Sequence, residues 1–78
     1  MPRNINNWTY NDVATFLREK GFQLNHTRGS HHYFTGVINK EMRHLCVPRH
    51  GNLSLKPRTM KSIILQAGIE KESWFENK

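Results

Sequence analysis

The stretch Arg28-Gly29-Ser30-His31-His32-Tyr33-Phe34 contains the side chains of this chain best suited to chemistry. Free histidine has a pKa of about 6.5, so an imidazole can take or give a proton near neutral pH. Arg28 adds a permanent charge on a planar fork that matches a phosphate group. Gly29 lets the backbone turn sharply or approach a ligand closely. The stretch therefore suits proton transfer beside an anion, although a polar turn that enters a strand can have the same composition.

Two amphipathic helices are predicted, one on each side of this stretch. The first covers about Tyr10 to Lys20 and follows a capping-box pair, Thr9 and Asp12, with Asp in place of the usual Glu or Gln. The second begins near Pro57, which suits the first turn of a helix. A glycine ends each helix, at positions 21 and 68. Both carry apolar residues at the i, i+3, i+4 spacing of a helix that covers a core. These residues are Val13, Phe16, Leu17, Met60, Ile63, Ile64 and Ala67.

Three short strands are predicted between the helices. Phe22, Leu24 and His26 alternate with polar residues, which indicates a half-buried first strand. The second strand runs from about residue 31 to 37 and the third from about 42 to 47, where a proline stops it. Strands that are short and close in sequence favour an antiparallel meander.

These elements predict an α+β fold of order α-β-β-β-α, with a three-stranded antiparallel sheet and two helices on one face. Double-stranded-RNA-binding domains (dsRBDs) have the same order. The 78 residues form one predicted domain, with a core over about 9–69 and a short C-terminal tail, 70–78, that docks Trp74 or Phe75.

Charge is concentrated in the middle of the chain. The net charge is +6, and residues 28–61 hold seven basic and one acidic side chain. Such clustering is typical of a protein that binds a polyanion, most often nucleic acid, although a solvated basic surface gives the same count. With one cysteine, no secretory signal and no apolar run near the ~18 residues of a membrane span, we expect a soluble cytoplasmic protein.

Four pieces of the sequence, in this order and at this spacing, resemble the HicA (YcfA-like) toxins. They are Leu17…Gly21-Phe22, Arg28 to Phe34, Val47-Pro48…His50-Gly51, and Leu55-Lys56…Gln66-Ala67-Gly68-Ile69. The resemblance covers roughly residues 10–70, and the loop over 36–43 departs from it by lacking a common His-Pro pair. It implies a dsRBD-like mRNA interferase, the toxin of a type II toxin–antitoxin system, whose partners are mRNA and a HicB-like antitoxin.

A ribonuclease needs a base for the 2′-hydroxyl proton, positive charge on the phosphate and an acid for the leaving oxygen, and it requires no metal in principle. The resemblance makes the histidine of Gly-Ser-His catalytic, which leaves two candidates, His31 and His32. Alternation places them on opposite faces of the sheet, and we favour His31 because it directly follows the Gly-Ser turn. The candidate RNA-binding residues are Arg28, Ser30, Arg49, Lys56 and Lys61.

Other functions remain open from the sequence. Several metal-ligating side chains occur, but they lack a compact zinc-binding spacing, so we predict no metal and no cofactor. They are His31, His32, His44, Cys46 and His50. Tyr33 and Phe34 have rings that can stack on bases, yet at least one is expected in the core. Two other interpretations stay open: a non-catalytic RNA-binding domain, and a domain whose basic face receives an acidic protein.

Overall fold

The computed structural model describes residues 7–49, 51 and 53–75. The elements in order are α1 (Tyr10–Glu19), β1 (Gln23–Arg28), β2 (His31–Ile38), β3 (Glu41–Pro48), α2 (Pro57–Ala67) and α3 (Lys71–Trp74). The predicted α+β class and the α-β-β-β-α order are therefore confirmed, and the short helix α3 lies in the C-terminal tail. None of the described helices has the length and apolarity to cross a membrane.

Helix α1 begins where the sequence places its cap. The Thr9 hydroxyl accepts a hydrogen bond from the backbone N–H of Asp12 at 3.3 Å, and the Asp12 carboxylate accepts one from the Thr9 N–H at 3.0 Å. Together they form the predicted capping box and satisfy two N–H groups at the start of the helix. Gly21 follows the helix with φ of +95°, a conformation that side chains with a Cβ rarely adopt.

The sheet is an antiparallel meander with β2 in the centre. Strands β2 and β3 pair without interruption, from His31 opposite Pro48 to Ile38 opposite Glu41. Their connection, Asn39-Lys40, has positive φ at both residues, as a tight two-residue hairpin turn requires. The other hairpin turns at residues 29 and 30 and brings Arg28 opposite His31. Both ends of β2 are thereby fixed by short turns.

The helices cover one face of this sheet. Phe34, Leu45 and Val47 point toward the helices and are buried, so the residues between them point to the other face. We call the helix side the covered face. We call the other side the open face, and its residues include His26, Arg28, His31, Tyr33, Thr35, His44 and Cys46. The core that fills the covered face consists of Trp8, Tyr10, Val13, Ala14, Leu17, Phe22, Phe34, Leu45, Val47, Leu55, Met60, Ile63, Ala67 and Trp74.

The segments before α1 and after α2 close the far side of this core. The ring of Trp8 lies edge-on to Phe16 and Trp74, with ring centroids 5.8 and 5.6 Å apart. The carbonyl of Trp8 accepts a hydrogen bond from the N–H of Leu55, and a β-bridge joins Thr9 to Ser54. The tail residue Trp74 is thus docked in the core, as the composition of the tail predicted.

Strand β1 differs from the expectation of a half-buried strand. All six of its residues are exposed, including Leu24 at 42%, and the strand starts after the buried Phe22. The helices pack mainly on β3, so β1 lies at the edge of the area that they cover. A bulge between Leu24 and His26 also breaks the alternation. His26 therefore lies on the open face, opposite to the face that simple alternation from Phe22 predicted.

Candidate active site

The hairpin of β1 and β2 brings the predicted site residues to one end of the sheet. Arg28 and His31 are paired across the hairpin, with Gly29 and Ser30 forming the turn between them. The backbone N–H of Arg49 donates a hydrogen bond of 2.8 Å to the carbonyl of Ser30. This bond extends the β2–β3 ladder past its last pair and holds Arg49 beside the turn. Two segments that are distant in sequence, the hairpin turn over residues 28–31 and the residue after β3, Arg49, thus meet where the Gly-Ser turn enters β2.

His31 lies on the open face and is exposed. Its neighbours across the sheet are Arg28 on β1 and Pro48 on β3. Side chains directly opposite in an antiparallel pair are about 4.5–5.5 Å apart at their Cβ atoms, so the guanidinium of Arg28 can reach a group bound at the imidazole. His31 has no side-chain hydrogen bond or ion pair with the described residues. Its imidazole is accessible to a large substrate and has a cation next to it.

His32 is held on the covered face. Its Nδ1 lies 3.0 Å from the hydroxyl of Tyr10, and the two rings are 4.7 Å apart. The guanidinium carbon of Arg49 lies 5.5 Å from the centre of the Tyr10 ring, within cation–π range. His32 therefore links α1 to β2, and Arg49 packs on the same tyrosine. One ring nitrogen of His32 is already used by this contact.

Lys56 lies close to this end of the sheet, because it lines a cleft together with Pro48, the last residue of β3. Lys56 is the N-cap residue of α2, and its side chain makes no capping hydrogen bond, so no cap side chain occupies the first N–H groups of that helix. A cleft of about 420 Å³ is lined by Pro48, Leu53, Ser54, Leu55, Lys56 and Thr59. Because Pro48 pairs with His31 across the sheet, this cleft borders the candidate site.

Lys61 lies elsewhere on α2. It lines a separate cleft of about 350 Å³ with Ile64, Leu65 and Lys71. The structure therefore gathers Arg28, Ser30, His31, His32 and Arg49 at one end of the sheet, puts Lys56 in the bordering cleft, and puts Lys61 in a different one.

Two residues near the site were missed from the sequence. Tyr10 was read only as the start of α1, yet its hydroxyl contacts His32. His26 was assigned to the wrong face, yet its ring stacks on Tyr33 at 4.5 Å with an angle of 13° between the ring planes. No sequence signal gives the bulge that turns His26 outward.

The prediction that Tyr33 or Phe34 joins the core is confirmed, since Phe34 is buried. Among the metal-ligating side chains weighed from the sequence, His50 lies outside the described residues. The rest of the chain that the structure describes contains no group of three His, Cys, Asp or Glu side chains placed to hold a metal ion.

A family model described as "HicA toxin of bacterial toxin-antitoxin" matches residues 10–69. The chain belongs to the HicA toxin family. The match runs from Tyr10 past the end of α2, so it includes every candidate residue described above. Searches of curated proteins and of solved structures gave no match. Membership of the HicA family confirms the resemblance drawn from the four sequence pieces and makes this protein a toxin of the toxin–antitoxin kind.

Proposed function

We propose that this HicA toxin is an mRNA interferase, an endoribonuclease that uses His31 as its general base and needs no metal. The observation that supports this most is the placement of His31: exposed on the open face, at the Gly-Ser turn, with Arg28 directly across the hairpin. A polymeric substrate can reach this imidazole without any movement of the fold. His32, in contrast, is half-buried and bonded to Tyr10.

The reaction follows from the chemistry of RNA. His31 takes the proton of the 2′-hydroxyl, the 2′-oxygen attacks the adjacent phosphorus, and the bond to the 5′-oxygen breaks. The products are a 2′,3′-cyclic phosphate and a 5′-hydroxyl, whose proton comes from water at this exposed site. Arg28 supports the added negative charge on the phosphate, and Arg49 lies at the same end of the sheet. A single acid–base group contributes about 10²–10⁴-fold, so a slow enzyme is expected.

The test is cleavage of a labelled RNA in EDTA by the wild type, His31→Ala and His32→Ala. We expect His31→Ala to lose about 10²–10⁴-fold in rate while it keeps its fold and its RNA affinity. His32→Ala keeps an intact base and loses less activity than His31→Ala. If His32→Ala loses cleavage activity and His31→Ala does not, His32 is the base. RNA binding by the wild type without cleavage would instead identify a non-catalytic RNA-binding domain.

The proposal includes an antitoxin partner of the HicB kind. No segment among the described residues covers the imidazole of His31, so the simplest inhibitor covers the open face around His31 and the basic rim formed by Arg28 and Arg49. Acidic residues on the partner would raise its association rate, and an apolar centre would slow its release. Hydrogen exchange on the complex should then show protection of the turn at residues 28–31, and RNA should compete with the partner. Protection only on the outer side of α2, with RNA still bound, would contradict this mode of inhibition.

A further inference from the structure

The open face carries a pair of stacked rings next to His31. The imidazole of His26 and the phenol of Tyr33 are nearly parallel, with centroids 4.5 Å apart. His26 is exposed and lies on the edge strand β1, while Tyr33 is half-buried on the central strand. On its other side Tyr33 pairs with Cys46, whose side chain is small. The pair therefore presents ring surface to solvent, and no described helix covers it.

The position of this pair relative to His31 is set by the strand. Tyr33 and His31 are two residues apart on β2, so their side chains point to the same face at a spacing of about 6.5–7 Å. Across the hairpin, His26 and Arg28 have the same relation on β1, with Arg28 opposite His31. On the open face, the stacked rings of His26 and Tyr33 thus lie next to the imidazole of His31 and the guanidinium of Arg28.

We propose that the His26–Tyr33 pair is a base-stacking subsite that holds an unpaired nucleotide of the RNA, with the neighbouring phosphate at His31 and Arg28. This inference rests on the proposed ribonuclease function and narrows its substrate to single-stranded RNA, because a base can stack on a side chain only when it is free of its own helix. Stacking tolerates every base, so the subsite positions the chain without selecting a sequence. Tyr33 and His26 are positioning residues, and the chemistry stays with His31.

A structural role alone would also place two rings side by side. Cross-strand aromatic pairs stabilise a sheet, and His26–Tyr33 is such a pair between the edge strand β1 and the central strand β2. The two roles differ in what a substitution changes. A structural pair affects stability and leaves the affinity of the folded protein for RNA unchanged, whereas a stacking subsite affects affinity for single strands.

The experiment measures binding in the His31→Ala background to a single-stranded RNA and to a duplex of the same length, both carrying 2′-O-methyl groups that prevent cleavage whether or not His31 is the base. Adding Tyr33→Ala should weaken single-strand binding by about 5- to 150-fold, the range that corresponds to one base–aromatic stack. Tyr33→Phe keeps the ring and should bind within about twofold of its parent. His44→Ala removes an exposed imidazole from the same face without removing a ring of the pair, and it is the matched control.

Binding of the duplex should change by less than about twofold in every variant, since paired bases cannot stack on the rings. Loss of affinity that is equal for single strand and duplex, or a Tyr33→Ala variant that binds the single strand as well as its parent does, would overturn the subsite. In the cleaving protein, Tyr33→Ala should raise KM more than it lowers kcat for a short single strand.

A second readout uses a single strand that carries 5-iodouridine, irradiated on the His31→Ala protein. We expect the crosslink at Tyr33, in the tryptic peptide from residue 29 to 40. A crosslink confined to the peptide that contains Tyr10 would place the base on the other face and overturn the proposal. Because these readouts need no cleavage, they remain decisive if His31 is not the base. Conversely, a failed subsite leaves the test of His31 unaffected.

Discussion

The side chains of strand β2 have different environments on the two faces of the sheet. On the covered face, β2 contributes Phe34 to the core and His32 to a hydrogen bond with Tyr10. On the open face, the same strand presents His31 and Tyr33, neither of which is covered by any of the described helices. Adjacent residues of one strand therefore have opposite environments, which is a direct result of the two-residue period of the side chains.

This difference separates two histidines that are chemically identical in the sequence. His32 is bonded to Tyr10 of α1, so removing its side chain should lower the stability of the fold. His31 is exposed and has no partner among the described residues, so removing its side chain should affect ligand binding or the reaction instead. The comparison between the faces predicts stability effects on one side and functional effects on the other. Three sets of variants test that division, beginning with the largest effect.

The largest expected effect is Phe34→Ala on the covered face. Removing a buried phenylalanine costs about 3–5 kcal/mol, which equals the whole stability expected of a domain of this size. Phe34→Ala should therefore be largely unfolded at 25 °C. Tyr33→Ala, one residue away on the open face, should lose less than about 1 kcal/mol of unfolding free energy, because only a cross-strand pair is removed.

Urea unfolding monitored by far-UV circular dichroism provides both values. A folded Phe34→Ala variant, or a Tyr33→Ala variant that unfolds as readily as Phe34→Ala, would show that the two faces do not differ in their contribution to stability.

The next effect concerns His32 and its tyrosine. His32→Ala leaves the hydroxyl of the buried Tyr10 without its partner, and an unsatisfied buried polar group costs about 1–3 kcal/mol. His31→Ala should change the unfolding free energy by less than about 0.5 kcal/mol, as exposed surface substitutions generally do. Tyr10→Phe combined with His32→Ala should be less destabilised than the sum of the single variants, since the double variant leaves no hydroxyl unpaired.

The fluorescence of Trp8 and Trp74, both buried on the far side of the core, reports these transitions. Additive single variants would mean that the Tyr10–His32 contact contributes nothing to stability. The hydrogen bond would then give no reason to set His32 aside as the base, and only its burial would distinguish it from His31.

The sequence predicted the elements well where local signals are strong. The capping box at Thr9 and Asp12, the glycine after each helix and the helical spacing of the apolar residues fixed both helices to within a residue. These features are local, so they need no knowledge of what packs against them. The alternation in β2 likewise placed His31 and His32 on opposite faces, and the burial of Phe34 identifies the covered one.

The site could be predicted only in part, because its remaining features depend on tertiary contacts. The bulge in β1 lies on an edge strand at the margin of the area that the helices cover, and it places His26 opposite Tyr33. The contact of Tyr10 with His32 joins residues 22 positions apart, and nothing local indicates it. The separation of Lys61 from Lys56 follows from the helical phase of α2 relative to the sheet. The charge pattern of the sequence predicts that both lysines lie on a basic surface, but it does not show that they lie in different clefts.

The smallest effect, and the one that tests where RNA lies, is the salt dependence of binding. Each cation that neutralises a phosphate of a single strand contributes about 0.7 to the slope of log affinity against log salt. Arg28→Gln, on the open face beside His31, should reduce the slope by about that amount, and Arg49→Gln should do so if RNA continues over the rim of the turn. Lys61→Gln removes the same charge from a different cleft on α2 and should leave the slope unchanged if RNA is confined to the open face.

All variants have equal net charge, so a general weakening of the basic protein's field cannot explain a difference between them. Equal slopes for Arg28→Gln and Lys61→Gln would show that RNA also follows α2, and the open face would then be only one part of a longer binding surface.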